Sequence, residues 1–268
     1  MTGLVALSSL VAVLVLVLIV GDLVAKGAAS LDWSFFVKNP APAGEPGGGV
    51  AHAIVGTALV VGLAAALGVP VGVATGLYLA EYGGGRLGWL VRFVADVLNG
   101  TPSIVVGIFA WTWLVRPVGH FSALAGSVAL AMLLVPMIAR TTEEMVRLVP
   151  HTLREAALAL GMTRWRASLR VVVRTALAGI VTGCLVGVAR IAGETAPLLF
   201  TALGNLNFTT DVTQPIETLS LQIFQYATGP FDEWHRLAWA AALTLLGLVL
   251  VLSLAARWAI RSRHGRAR

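Results

Sequence analysis

The sequence predicts an all-α protein that crosses a membrane six times, and three observations lead there. Of its 268 residues 57% are hydrophobic and only 12% are charged, where a soluble domain carries about a quarter charged residues. The apolar residues gather in six runs, each near the ~20 residues that a helix needs to cross a hydrocarbon core of ~30 Å. The basic residues crowd into alternate connections between those runs. A chain this apolar cannot stay solvated as disorder, and a single cysteine, Cys184, rules out a disulfide scaffold. The net charge of +6 sits in short loops, so it reads as membrane topology and not as a nucleic-acid face.

The runs are Leu4–Val20, Ile54–Leu79, Val97–Val115, Phe121–Ala139, Ala176–Ala202 and Leu237–Ala256. They must be helices, because backbone left unpaired in lipid is costly and the period-2 alternation of a barrel is absent. The first run has one rival reading, a cleaved leader followed by the Ala-rich stretch at Gly27–Ser30. Met1–Gly3 offers no Lys or Arg for such a leader, which favours a span. One set of loops carries Arg86 and Arg92, seven arginines from Arg140 to Arg174, and five from Arg257 to Arg268. The other set carries only Lys26, Lys38, Arg116 and Arg236. The positive-inside rule puts the first set, and both termini, in the cytoplasm.

The connections differ in kind. Residues 26–50 include Asn39–Gly49, NPAPAGEPGGG, an external turn-rich loop that cannot hold a helix or a central strand. The outer segment 204–233 contains IETLSLQIFQYATGP and is expected to fold back as a short helix ending at Gly229-Pro230. The inner segment 141–170 alternates charge with helix formers and suits packing on a partner. Three regions follow: 1–49, the first helix with its Pro/Gly loop; 50–258, the transmembrane body with an inner loop at about 141–174; and 259–268, a basic tail.

Catalytic signatures are missing. A Walker A loop needs Gly-Lys-Ser/Thr, and the two lysines stand in LVAKG and FVKNP. His52, His120, His151, His235 and His264 have no metal-ligand spacing, and Cys184 reads as a small core residue, so no metal site is expected. The informative stretch is Gly183–Phe200, GCLVGVARIAGETAPLLF. A charge inside a bilayer costs at least ~2.5 kcal/mol, so Arg190 and Glu194 need a reason to be there. Their i,i+4 spacing permits pairing, and on a regular helix both share a face with Gly179, Gly183, Gly187 and Pro197. That face should meet protein or a pore. The guanidinium suits an oxyanion cargo; the plainer alternatives are a pair that only fixes packing, or an arginine that snorkels. Gly68, Gly72 and Gly76 predict close helix packing, and Glu81, Tyr82, Asp96 and Asn99 predict interfacial or capping roles.

Glu155-Ala156-Ala157, three residues, then Gly161 resembles the EAA motif of ABC importer permeases, whose loop forms a coupling helix on the ATPase subunit. NGTPSIVVGIF (99–109), RTTEEMVRLVP (140–150), LREAALALGMTRWRA (153–167) and ARIAGETAPLLFTA (189–202) together resemble the phosphate-specific (Pst) permease family, A-subunit branch. That resemblance implies a type I ABC importer permease fold and an inner-membrane location. It implies Arg190 and Glu194 as the charged pair of the translocation path, and Glu155, Ala156, Ala157 and Gly161 as the ATPase-coupling segment. The implied partners are a second permease, two ATPase subunits that bind the ATP and Mg, an extracytoplasmic phosphate-binding protein and membrane lipid, with no nucleic acid. The chain itself would need no cofactor and would not be an enzyme. The alternative cargo is another oxyanion, such as sulfate or molybdate, or a small solute. The family's prolines after the EAA segment are replaced by Arg174 and Ala178, which predicts a more continuous helix into span five. The short lead-in to the first span leaves a longer native start open.

Overall fold

The computed structural model describes residues 2–42, 45 and 47–264. Among these the elements are helices joined by short turns, with two isolated bridges, Pro40 to Gly48 and Leu203 to Ile216. Helix α1, Thr2–Ala28, is apolar along its length and exposes Leu4 to Ile19, which only lipid can cover. It meets the rest of the chain at Gly27, against Trp239 and Leu243, and at Lys26, whose ammonium lies 4.6 Å from the Trp239 ring centre. A short helix α2, Trp33–Val37, follows. The Asp32 carboxylate accepts from Phe35 N at 2.7 Å and caps it, which seats Phe35 in an outer core with Val50, Ala53 and Leu219. The external loop's Ala43, Gly44 and Pro46 lie outside the described residues.

Helix α3, Ala51–Tyr82, and helix α7, Ala123–Arg147, form the centre of the body. Gly68, Gly72 and Gly76 of α3 face Leu134, Ile138 and the Ala139–Thr142 stretch of α7 at distances that leave no room for a Cβ. The glycine stripe therefore brings two helices close, as its spacing predicts. Helix α7 starts at Ser122, whose side chain accepts from Ala125 N, and runs on to Arg147, so the inner loop read as starting at Thr141 begins only after that residue.

The third span is not the single helix that its composition suggests. Helix α4, Arg86–Gly100, and the following Ser103–Val118 segment are bent by 105°. That segment comprises α5, Ser103–Ala110, a π-helical turn, Trp111–Val115, and α6, Arg116–Val118. Pro102 is the cause: its ring excludes the preceding residue from helical space, and Thr101 is extended, at φ −76° and ψ 132°.

On the inner side lie helix α8, His151–Ala159, and helix α9, Arg164–Ala167. A π-helical turn, Ser168–Val172, leads on into α10, Val173–Ala192. The stretch Arg164–Ala192 is one continuous helix through Arg174 and Ala178, where the two prolines are missing. The fifth span, read as Ala176–Ala202, is nevertheless broken further out. It ends at Ala192, and α11, Ala196–Thr201, restarts after Gly193-Glu194-Thr195 with Pro197 in its first turn. Proline is welcome there and destructive inside a helix.

An outer strap, 202–218, crosses the start of α7, where Ala123 N and Leu124 N donate to the carbonyls of Gln214 and Val212. Helix α12, Leu219–Ala227, is the expected fold-back element, capped by Thr218 and ending just before Gly229-Pro230. Helix α13, Asp232–His264, closes the chain; residues 265–268 of the basic tail lie outside the described residues.

Candidate functional site: a cavity at the broken spans

Both breaks open onto one cavity of about 400 Å³. Its walls are Leu98, Asn99, Thr101, Pro102 and Ser103 from the α4–α5 bend, Leu133, Met137, Arg140 and Thr141 from α7, and Arg190, Ile191 and Glu194 from the end of α10. Gly187, one turn before Arg190, faces Leu134 and Met137 near the middle of α7, and Arg190 lines the cavity with Leu133 and Met137 of that helix. A bend or break is what lets polar groups stand there, since backbone released from a helix needs a cavity or protein around it.

Arg190 and Glu194 are brought together, but not as one regular helical face. Arg190 belongs to the last turn of α10 and Glu194 to the break, with Nε and Oε1 3.9 Å apart. The Arg190 side chain is 69% exposed and that of Glu194 22%. The break is held from behind, where Ser220 Oγ of α12 donates to the Glu194 carbonyl at 3.2 Å. Glu194 thus stands fixed beside a guanidinium whose donors still point into open space.

A second guanidinium, Arg140, was not singled out by the sequence, because it ends an apolar run and reads as an ordinary interfacial charge. Its Nε donates to Glu144 at 2.8 Å and its Nη1 lies 3.8 Å from Asp96. Asn99, Thr101 and Ser103 also line the cavity, so capping is not the whole role of the NGTPS stretch.

Gly179, Gly183 and Gly187 lie against Met145, Thr141 and Met137 of α7, respectively; a Cβ at Gly183 would strike the Thr141 side chain, and one at Gly179 or Gly187 would push aside a methionine. The inner segment places Glu155 and Ala156 on the exposed side of α8 and buries Ala157. Gly161 has φ +81°. Met162 N donates to the Ala157 carbonyl and Gly161 N to that of Leu158, the paired bonds of a Schellman cap that requires a left-handed residue. Two inner-side carboxylates are built into the structure. Glu81 is half-buried against Arg154 and Ser168, and Glu143, which the sequence did not mark, lies buried between Arg92 and Arg147.

Residues 68–264 match the family described as binding-protein-dependent transport system inner membrane component. The chain belongs to this family. It is a multi-pass inner-membrane protein and a permease component. The chain is 46% identical over 245 residues to the phosphate transport system permease protein PstA of Yersinia pestis, covering 90% of this permease and 82% of that one. Identity to the PstA of Haemophilus influenzae is 43%, with 96% and 91% covered. Among solved structures, the fold resembles an inward-facing MetNI methionine ABC transporter chain, with a TM-score of 0.69 at 20% identity over 80% of this permease and 95% of that chain. It also resembles a bacterial alginate ABC transporter chain, with a TM-score of 0.66 at 15% identity over 94% and 92%. Those likenesses establish a type I ABC importer permease fold.

Proposed function

We propose that this chain is the membrane-spanning subunit of an ATP-driven importer of inorganic phosphate, with the cavity at Arg190 on the cargo's path. The observation that carries the cargo is the similarity, over nearly the whole chain, to relatives named as phosphate permeases. The chemistry of the cavity supports it. A planar guanidinium with unspent donors recognises a tetrahedral oxyanion in bidentate fashion, and Glu194 within ionic reach keeps the site from holding the anion too tightly. Arg140, with Asp96 and Glu144 already beside it, offers a weaker second station.

The cavity also argues for a second permease. Arg190 is mostly exposed on a helix that spans the membrane in this reading, and a bare arginine facing lipid near the centre of a span costs ~3 kcal/mol or more. A second permease across the open side would cover it and complete the path. Work would come from two ATPase subunits that hold the ATP and Mg, docked on α8 through the exposed Glu155 and Ala156, with buried Ala157 seating the helix and Gly161 setting its end. This chain carries no nucleotide motif, so it is the non-catalytic part. A phosphate-binding protein would load the external face, and both termini would lie in the cytoplasm. Alternating access between two packed arrangements would then move the anion inward.

Radiolabelled phosphate uptake tests the reading, in cells carrying the whole complex with wild-type or Arg190→Gln permease and excess unlabelled sulfate. Uptake that resists sulfate and disappears in Arg190→Gln, with the complex still assembled, is the expected result. Uptake unchanged in Arg190→Gln would remove the anion site, and uptake abolished by sulfate would transfer the cargo to another oxyanion.

A further inference from the structure

The inner end of α3, helix α8 and the π-helical turn before α10 meet at one carboxylate, and α7 is tied to the same cluster through Arg154. Glu81, in the last turn of α3, has Oε1 in an ion pair with Arg154 Nη2 of α8 at 2.8 Å, while Oε2 accepts from Ser168 Oγ of the π-helical turn at 2.8 Å. Arg154 Nη2 spends its hydrogen bond on the Val146 carbonyl in the last turn of α7, at 3.1 Å. The two charged side chains are only 18% and 12% exposed, so the pair works in a setting where water screens it poorly. Among the described residues these are the polar contacts between α3 and the segment 151–172.

We propose that Glu81 is the positioning residue through which movement of α8 reaches the cavity, with Arg154 and Ser168 as its two partners. The proposal rests on the reading of α8 as the ATPase-coupling helix. From Glu81 the path to the cavity is contiguous. Helix α3 is locked to α7 by Gly68, Gly72 and Gly76, and α7 carries Leu133, Met137, Arg140 and Thr141 into the cavity wall. Ser168 stands in the second turn of the continuous helix Arg164–Ala192, whose far end places Arg190 and Ile191 in the opposite wall. One carboxylate therefore refers both walls to α8. Close-packed helices transmit such a displacement because they shift between discrete arrangements and do not deform smoothly.

The test is made on the complete complex in proteoliposomes, with the binding protein inside the assay and Cys184→Ala as background. Anion uptake per ATP hydrolysed is measured for Glu81→Gln and for a Glu81→Cys, Arg154→Cys pair, free or joined by a short bifunctional thiol reagent. The expected result is a fall of about tenfold in uptake per ATP for Glu81→Gln and the free pair, with ATPase subunits retained, and recovery to within about twofold on joining. A contact that only stabilises the fold would lower yield and leave the ratio alone. An unchanged ratio in Glu81→Gln, or a joined pair no better than the free one, overturns the proposal. If the wild-type complex carries an oxyanion other than phosphate, the ratio is read on that anion. The cargo assignment then fails, while the difference between joined and free pairs still judges Glu81.

Discussion

Arg190 and Arg140 bring the same guanidinium to the same cavity, and their neighbours set them apart. Arg140 has a carboxylate at 2.8 Å, whereas the Arg190 contact is 3.9 Å, so Arg190 keeps more donors for cargo. Arg190→Lys retains the charge but loses the planar fork. Phosphate uptake should fall about tenfold in Arg190→Lys and less in Arg140→Lys, measured as initial rates with the binding protein saturating. Glu217, in the outer strap, makes a prediction of another kind. It is 2% exposed, and burial pushes its carboxyl up to about 8, against hydrogen bonds from Thr218, Asn205 and Gln225 that pull the other way. An acid whose folded pKa is raised must take up a proton on folding. Its contribution is therefore most favourable below the ordinary value of 4.5 and is lost as the pH climbs to about 8. The melting temperature of the detergent-solubilised complex should fall between pH 5 and pH 8 through this group, in the interval between those two pKa values. Glu217→Gln should flatten that fall and melt higher at pH 8; an unaltered pH profile would count against a buried neutral acid.

Helix α8 and helix α10 are shaped by glycine for different reasons. Gly161 is needed for its backbone, since φ +81° costs any residue with a Cβ ~1–2 kcal/mol. Gly161→Asp should unseat the end of α8 and lower recovery of the ATPase subunits in a pull-down. Glu155→Lys, on the exposed side of the same helix, should do so without loosening the permease. Normal recovery with normal transport in both would argue against α8 as the docking helix. Gly183, by contrast, is needed for space: a Cβ there would strike the Thr141 side chain. Gly183→Leu should part α10 from α7 at a cost of ~1–3 kcal/mol or more, read as a lower melting temperature and a smaller yield of assembled complex. The φ angle of one and the neighbours of the other give the physical reason each is a glycine.

For the molecule as a whole, the arginine-rich loops and the cavity's open side carry the proposed orientation and assembly. A thiol-labelling map with single cysteines should find position 263 reachable from the cytoplasm and position 38 from outside; the reverse would invert the topology. The six apolar stretches and the fold class were legible because burial in lipid demands ~20 apolar residues wherever the chain crosses, a requirement written locally. The fold-back helix α12, the EAA segment and the two glycine stripes were legible for similar reasons, since turn residues and i,i+4 spacing are local patterns. Reading the third and fifth spans as continuous was the error. Composition counts apolar residues without registering that Pro102 forces Thr101 out of helical space, or that Pro197 suits the first turn of a new helix better than the middle of an old one. From those two breaks came Asn99, Thr101 and Ser103 facing Arg190 across one cavity, with Arg140 joining them; the packing of inner helix ends drew Glu81 into its pair with Arg154. Arg190 and Glu194 stood out in the chain because a charge among apolar neighbours is conspicuous and costly. Arg140 and Glu81 did not, because at the ends of apolar runs a charge is ordinary until packing encloses it, and which helix ends meet depends on contacts between segments far apart in sequence.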